Sequence, residues 1–327
     1  MSARVPKETS LHSTNKIHKN QKGNKRLALP QGNMTRDWKE RYLHHYKKLF
    51  FIPLTLVILA LAFLTYNVLT TGDIVEKDVS LKGGTTATIY TSEEFPDLEN
   101  QLHATFPEGD FHVRTLREFG SENPLGIVIE VSTVNATDLK LGLEEITGIT
   151  LTPENYSLEF IGATLGESFY RQMLVALLLA FIFMGIVVFI AFRVPVPSCA
   201  VIFAAFGNMV CTLALFPLLG IQLSTAGIAA LLLLVGYSVD TDILLTTRML
   251  RQHEGTIVDR LISSMKTGLT MTAAAIAALG IGYLFSGSQV LQEMFLIIII
   301  GLVFDIVMTY GMNAGLLTWY LRRREVA

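Results

Sequence analysis

The chain has 327 residues, of which 51% are hydrophobic and only 17% charged, with a formal net charge of -2. It is too apolar for a soluble domain of that length and reads as a multi-pass membrane protein, with no nucleic acid expected as a partner. The small net charge hides an asymmetry: residues 1–48 hold twelve Lys/Arg against three acids, and residues 73–167 hold five against eighteen.

Residues 1–33 are polar and basic, without hydrophobic periodicity, and are expected to be unfolded. From Asp37 to Lys48 the pattern Trp38, Tyr42, Leu43, Tyr46 fits either a short helix on the lipid surface, with Lys47 and Lys48 near anionic headgroups, or an ordinary basic flank that sets orientation. The first apolar stretch, Leu49 to Leu69, begins too late and runs too long for a cleaved signal peptide and reads as a retained span.

The following acidic region switches repeatedly between periods of two and 3.6. Strand is expected at Thr86–Thr91, helix at Glu93–Phe106, strand at Phe111–Phe119 and at Leu125–Val131, helix at Asn135–Thr147, and strand at Ser157–Ile161. The order β-α-β-β-α-β is that of the split βαβ or ferredoxin-like arrangement. Lys82-Gly83-Gly84-Thr85 looks like a scrambled phosphate loop, but its lysine precedes the glycines, so a turn or bulge leading into the first strand is the better reading. The region contains no catalytic constellation, and its sequons at Asn135 and Asn155 could accept glycans.

Five more stretches can cross about 30 Å of hydrocarbon: Met173–Phe192, Val201–Leu219, Leu223–Leu245, Leu269–Phe285 and Met294–Leu321. Arg193, Arg248, Arg251, Arg260 and Lys266, and Arg322, Arg323 and Arg324 all fall on the side of the basic N-terminus, whereas 216–222 and 286–292 hold no Lys or Arg. The positive-inside rule then gives a basic cytoplasmic segment 1–48, a first span 49–70, an extracytoplasmic α+β domain 73–167, a five-helix bundle 168–321 and a basic cytoplasmic tail 322–327. Cys199 and Cys211 cannot staple the external domain and read as small packing residues. No cofactor or metal is expected.

The fourth span carries the chemistry, in Gly236-Tyr237-Ser238-Val239-Asp240-Thr241-Asp242. Each acid at mid-membrane costs roughly 2.5–3.5 kcal/mol, while the segment's eleven Leu, Ile and Val return about 0.3–0.6 kcal/mol each, so the helix would barely insert alone. Asp240 and Asp242 point roughly 200° apart and must serve two neighbours or two faces. Ser238 shares a face with Asp242, and Gly236 with Asp240; Tyr237 can present a hydroxyl at that contact. Arg248 is either a positive-inside flank or the partner of an acid on an adjacent helix. Asp305 lies roughly 18 Å along its helix from Glu293, near the midplane. Asn208, with Thr212 four residues on, either bonds another helix or joins this polar zone. The fifth span is rich in Ala and Gly and suits close or sliding contacts, and Thr267, Thr270 and Thr272 are placed to pair with acids of the fourth.

The topology, Lys82-Gly83-Gly84-Thr85, the string Gly162 to Glu167, and above all Gly236 to Asp242 together resemble the SecF family of the SecDF accessory complex of general protein secretion, within the resistance-nodulation-division superfamily. The Val-Asp-Thr-Asp form and the string Lys266 to Thr272 resemble its archaeal branch. The resemblance covers roughly 49–324 and implies a non-enzymatic subunit paired with SecD beside a SecY-type translocon, in contact with the translocating polypeptide and membrane lipid. It also implies a proton relay. In bacterial relatives this uses an Asp that falls on Thr241 here, a fifth-span Arg that falls near Thr270, and a third-span His-Asp pair that falls on Gly207-Asn208. Asp240, Asp242, Asp305, Arg248 and Asn208 are therefore the candidates for ion-responsive groups, with Gly236, Tyr237, Ser238, Lys82, Gly83 and Gly84 as motif positions. Alternatives are a small-molecule or lipid exporter of the same superfamily and an intramembrane aspartyl protease using Asp240 or Asp242 with Asp305.

Overall fold

The computed structural model describes residues 32–117, 123–252, 255–286 and 288–326. The segment expected to be unfolded, 1–31, lies outside the described residues, as do the side chains of Trp38, Tyr42, Leu43 and Tyr46. By its contacts the chain falls into two units, 1–44 and 45–327, and the second contains the sheet and the bundle.

Among the described residues, six helical segments are long and apolar enough to cross a membrane: Lys48–Thr71, Ala163–Phe192, Pro195–Leu219, Thr225–Arg251, Ile257–Phe285 and Val290–Arg324. They lie in α1 (Gly32–Thr71), α5 (Ala163–Phe192), α6 (Pro195–Leu219), α7 (Thr225–Arg251), α8 (Ile257–Phe285) and a last rod made of α9 (Gln289–Val307), a π-helical turn (Met308–Asn313) and α10 (Ala314–Val326). Each continues past the apolar core read from sequence at one end or both, and polar side chains cap the starts of two of them. Ser224 accepts the Gly227 amide at the start of α7, and Thr256 with Asp259 forms a capping box on α8. The α6 and α7 helices form the centre, with Val201, Ala204, Phe216, Ile228, Leu231 and Leu234 buried against Ile297 and Leu302 of α9. The α5 helix turns Leu178, Phe183 and Ile190 outward, as a helix in contact with lipid does.

Between α1 and α5 lies an α/β unit: α2 (Val79–Lys82), β1 (Gly84–Ile89), α3 (Leu98–Thr105), β2 (Phe111–Arg117), β3 (Pro124–Val131), α4 (Ala136–Thr147) and β4 (Tyr156–Ile161). The strands form one sheet in the order β2-β3-β1-β4, each neighbouring pair antiparallel. Ala87 pairs with Ile129 and Thr85 with Val131, so alternate residues place Ala87, Ile89, Ile127, Ile129 and Val131 in one core with Leu98 and Leu102 of α3 and Leu139 and Leu143 of α4.

In the α/β unit three boundaries, the start of α3 and both ends of β1, differ from the sequence expectation by two residues or more. The α3 helix begins at Leu98 instead of Glu93, because Pro96 disfavours helical backbone at the residue before it. The β1 strand begins at Gly84, two residues early, and stops at Ile89. Of the expected strand 111–119, residues 118 and 119 lie outside the described residues. Patterning gave no sign of the single turn α2.

On the other face of the sheet, the Arg114 guanidinium donates to Glu130 Oε1, while Glu130 Oε2 is buried without a partner. Burial pushes the Glu130 carboxyl above its ordinary 4.5, a shift that the adjacent Arg114 opposes. The folded state therefore holds a proton that the unfolded chain has already released. The contribution of Glu130 to the stability of the α/β unit is therefore fully present below about pH 4.5 and is lost as pH rises through the elevated value. Amide-exchange protection of β3 across mildly acidic pH should decline on that rise, and Glu130→Gln should flatten the decline.

Candidate functional site

Two clusters of polar groups connect the helices. The first is buried within the bundle. Ser238, Thr241, Asp242 and Thr246 line the inner face of α7, all buried. Asp305, at the end of α9 and 1% exposed, accepts the Ser238 hydroxyl on Oδ1 and the Thr241 hydroxyl on Oδ2 at 2.7 Å. Thr309, in the π turn, donates to Oδ1 at 3.4 Å. Asp242, fully buried, accepts Asn313 Nδ2 on Oδ1 at 2.8 Å. A π turn adds one residue to the helical circuit and so rotates its side chains, here aiming Thr309 and Asn313 at the two acids. Hydrogen bonds of this kind let a carboxyl reside in hydrocarbon at all.

The remaining sequence candidates stand apart from this pair. Asp240 is exposed on the outer face of α7 with Gly236 and Tyr237, and no atom lies within 4 Å of a Cβ built on Gly236. This is the opposed geometry that the 200° separation requires. Arg248 donates to the Ser263 carbonyl at 2.8 Å and to its hydroxyl at 3.2 Å, pinning α7 to α8 without an acid. Asn208 is buried in α6, its carbonyl receiving Thr212 Oγ1 at 2.9 Å, and its side-chain Oδ1 has no partner. The expectation is corrected for two of the three fifth-span threonines: Thr267 and Thr270 donate to Ser263 and Lys266 carbonyls of their own helix, the usual back-bond of a helical hydroxyl, while Thr272 is buried. Cys199 and Cys211 are both free.

Sequence reasoning passed over Thr246, Ser264, Thr309, Tyr310 and Asn313. Thr246 comes four residues after Asp242, a signal that could have found it. Nothing in the sequence announces the π turn that delivers Asn313.

The second cluster joins the α/β unit to the bundle. Asp78 receives the amide of Ser80 at 2.6 Å, forming the N-cap of α2, and the Ser80 hydroxyl receives the amide of Thr225 at the start of α7 at 3.0 Å. The Leu223 amide donates to Glu76 O at 2.7 Å, and the Asp78 amide to Leu223 O at 3.1 Å. Ser224, which caps α7, also donates to Glu293 Oε1 at the start of α9. Behind this joint, Gly83 (φ +81°) and Gly166 let backbones touch: a Cβ at Gly166 would lie 2.7 Å from Gly83 N. The strings at Lys82 to Thr85 and Gly162 to Glu167 are thus two halves of one contact.

The arrangement offers little to hydrolytic chemistry. Of the acids an aspartyl-protease reading would use, Asp240 faces outward, and Asp242 and Asp305 are buried among helices of this chain, closed to a substrate peptide. Among the described residues, no three His, Cys, Asp or Glu side chains converge as a metal site.

Residues 143–323 match the family described as protein export membrane protein SecD/SecF, C-terminal. The chain is 38% identical to the protein-export membrane protein SecF of Pyrococcus furiosus, the alignment covering 85% of this chain and 92% of that one. It is 38% identical to SecF of Methanothermobacter thermautotrophicus, over 88% and 96% of the two chains. The chain belongs to the SecF family. Its fold is similar to that of Thermus thermophilus SecDF, a translocon-associated membrane protein, with a TM-score of 0.61 and 20% identity over 86% of this chain. It spans 38% of that SecDF chain's length. The family match includes both intramembrane acids and the Gly162 to Glu167 half of the joint.

Replacing Asn313 by Leu removes the donor that the Asp242 carboxyl holds. The expected loss is about 1–3 kcal/mol of stability, read by thermal unfolding in mild detergent, and Asp242→Leu combined with Asn313→Leu should recover most of it.

Proposed function

We propose that the chain is the SecF-type subunit of a SecD–SecF assembly that assists protein export through a Sec channel, and that Asp242 and Asp305 form its conformational switch. Membership of the SecF family supports the assignment to export. The observation that carries the switch is that both buried acids are bonded across helix boundaries, Asp305 to α7 and Asp242 to the π turn. A change in protonation of either carboxyl exchanges an acceptor for a donor there, and so changes which packing of α7 against the last rod is favoured. Because α7 also begins at the joint with Ser80, Leu223 and Glu293, such a shift has a direct mechanical route to the α/β unit.

In this reading residues 73–167 are an extracytoplasmic ferredoxin-like domain, supported by the βαββαβ order and the strand order β2-β3-β1-β4. Both termini are cytoplasmic, supported by the twelve Lys/Arg of 1–48 and the arginines at 322–324. The five helices after residue 168 form the bundle, and Asn208 and Arg248 flank the switch. The outward face with Gly236, Tyr237 and Asp240 receives a SecD helix, which brings a hydrogen-bond donor or a cation to Asp240. The SecY-type channel, the moving polypeptide and lipid complete the surroundings.

Asp242→Asn combined with Asp305→Asn is expected to depress export of a secreted reporter strongly and to abolish pH-dependent change in protease accessibility of the α/β unit. Undiminished export with an intact pH response would reduce both acids to structural roles. Asp240→Leu should instead weaken co-purification with the SecD-type chain.

A further inference from the structure

The α/β unit carries two glycosylation sequons, Asn135-Ala136-Thr137 and Asn155-Tyr156-Ser157, which the sequence ranks equally. The structure separates them. Asn135 ends the link between β3 and α4 and is exposed, as is Thr137. Its backbone is extended, with φ -68° and ψ 141°, and although it occupies the N-cap position of α4, its side chain makes no capping hydrogen bond. An asparagine at that position ordinarily turns its side chain back onto the first amides of the helix. Here the carboxamide is left to solvent.

Asn155 is the reverse case. It is half-buried, and both ends of its carboxamide are engaged. Oδ1 accepts the Thr152 amide at 2.7 Å and the Thr152 hydroxyl at 3.3 Å, while Nδ2 donates to the Thr150 carbonyl at 3.0 Å. Its backbone carbonyl receives the Tyr90 amide at 2.8 Å. The rest of this sequon belongs to β4, where Tyr156 pairs with Ile89 and packs on the core, and Ser157 pairs with Thr88.

Glycan transfer makes two demands on an asparagine. The carboxamide nitrogen has to act as the nucleophile, and the three residues have to leave the domain surface to enter a transferase. Nδ2 attacks the anomeric carbon of a lipid-phosphate-linked oligosaccharide, the bond from that carbon to the phosphate oxygen breaks, the lipid phosphate departs with the electron pair, and Nδ2 gives up one proton. At Asn135 both demands are met at low cost. Its nitrogen is not held by a cap bond, and Ala136 and Thr137 stand in the first turn of α4, where amides have no partner within the helix and fraying is cheapest. At Asn155 the same departure would break three side-chain hydrogen bonds and strip two residue pairs from the β1–β4 ladder.

We propose that Asn135 carries an N-linked glycan and that Asn155 stays bare. The inference rests on the reading that places residues 73–167 outside the cell, where such transfer and such a bulky polar group belong. Because Val131 pairs with Thr85 and Gly84 with Ile161, this end of β3 lies at the end of the sheet that meets α2 and α5. The sugar therefore stands beside the joint with the bundle, and the bare sequon lies at the opposite end of the sheet, against Tyr90.

The test is glycopeptide mass spectrometry on the full chain purified from the membranes of its own cells. The peptide holding Asn135 is expected to carry the mass of an oligosaccharide, and those holding Asn155 and the third sequon, Asn33-Met34-Thr35 on the cytoplasmic side, to be unmodified. Thr137→Val should abolish the modification and Thr137→Ser retain it. Asn155→Gln should leave the glycan in place and lower the thermal unfolding midpoint, whereas Asn135→Gln should remove the glycan. An unmodified Asn135, or glycans on both external sequons, would overturn the proposal. Exposed Glu145 separates its failure from that of the topology, as Glu145→Cys in a chain with Cys199→Ser and Cys211→Ser. Labelling of that cysteine by a membrane-impermeant maleimide on intact cells, with Asn135 bare, rejects the glycan alone. No labelling and a bare Asn135 reject the external placement as well.

Discussion

A carboxyl group in hydrocarbon has to be supplied with donors by the protein, because the surrounding lipid has none to give. In this chain that requirement organises the bundle. Asp305 draws two hydroxyls from α7, Asp242 draws an amide from the last rod, and each bond crosses a helix boundary. The close approach depends on residue size. Gly301 receives Leu234, Gly311 receives Pro53, and Gly268 receives the Tyr310 hydroxyl, each so tightly that an added Cβ would collide. The π turn is part of the same solution, because a regular helix from Asp305 would aim Asn313 elsewhere.

These bonds matter beyond stability because α7 takes part in both polar clusters. Its middle carries the acids, and its first turn is capped by Ser224, which in turn touches Glu293. The preceding residue, Leu223, is bonded to the segment that opens the α/β unit. A rigid helix of 27 residues fixed at both places cannot shift at one without loading the other. The glycine contact between Lys82–Thr85 and Gly162–Glu167 closes the far side of the joint, so that the unit is held by its entry and its exit together.

Much of this was legible in the sequence, and the reasons differ between parts. The long helices announce themselves because apolar length is a direct physical requirement of the bilayer. The strands and helices of the α/β unit appear through period, with errors at the ends where Pro96 and the Gly83-Gly84 pair override it. The opposed placement of Asp240 and Asp242 comes from helical geometry alone. The partners of Asp242 and Asp305 were out of reach, since they depend on which helices become neighbours and on one residue's worth of extra winding at Met308–Asn313. Hydroxyls such as Thr246 are also ambiguous in any sequence. A threonine four residues from an acid can bond that acid, bond its own backbone as Thr270 does, or wait for a ligand.

Asp240 shows why the chain by itself is an incomplete object. It stands eleven residues before the end of α7 at Arg251, roughly 16 Å of helix, which is too deep for so short a side chain to reach a headgroup region. The interior of the bundle is closed to it, because the opposite face of α7 is already committed to Asp242 and Ser238. An uncovered acid at that depth would cost roughly 2.5–3.5 kcal/mol, comparable to the contribution of several leucines of the same helix. Gly236 leaves room beside it with no atom in contact, and Tyr237 adds a hydroxyl at the same level. Such a surface is matched by a close-packed second helix with a polar group of its own, a physical reason for the outer face of α7 to be an interface.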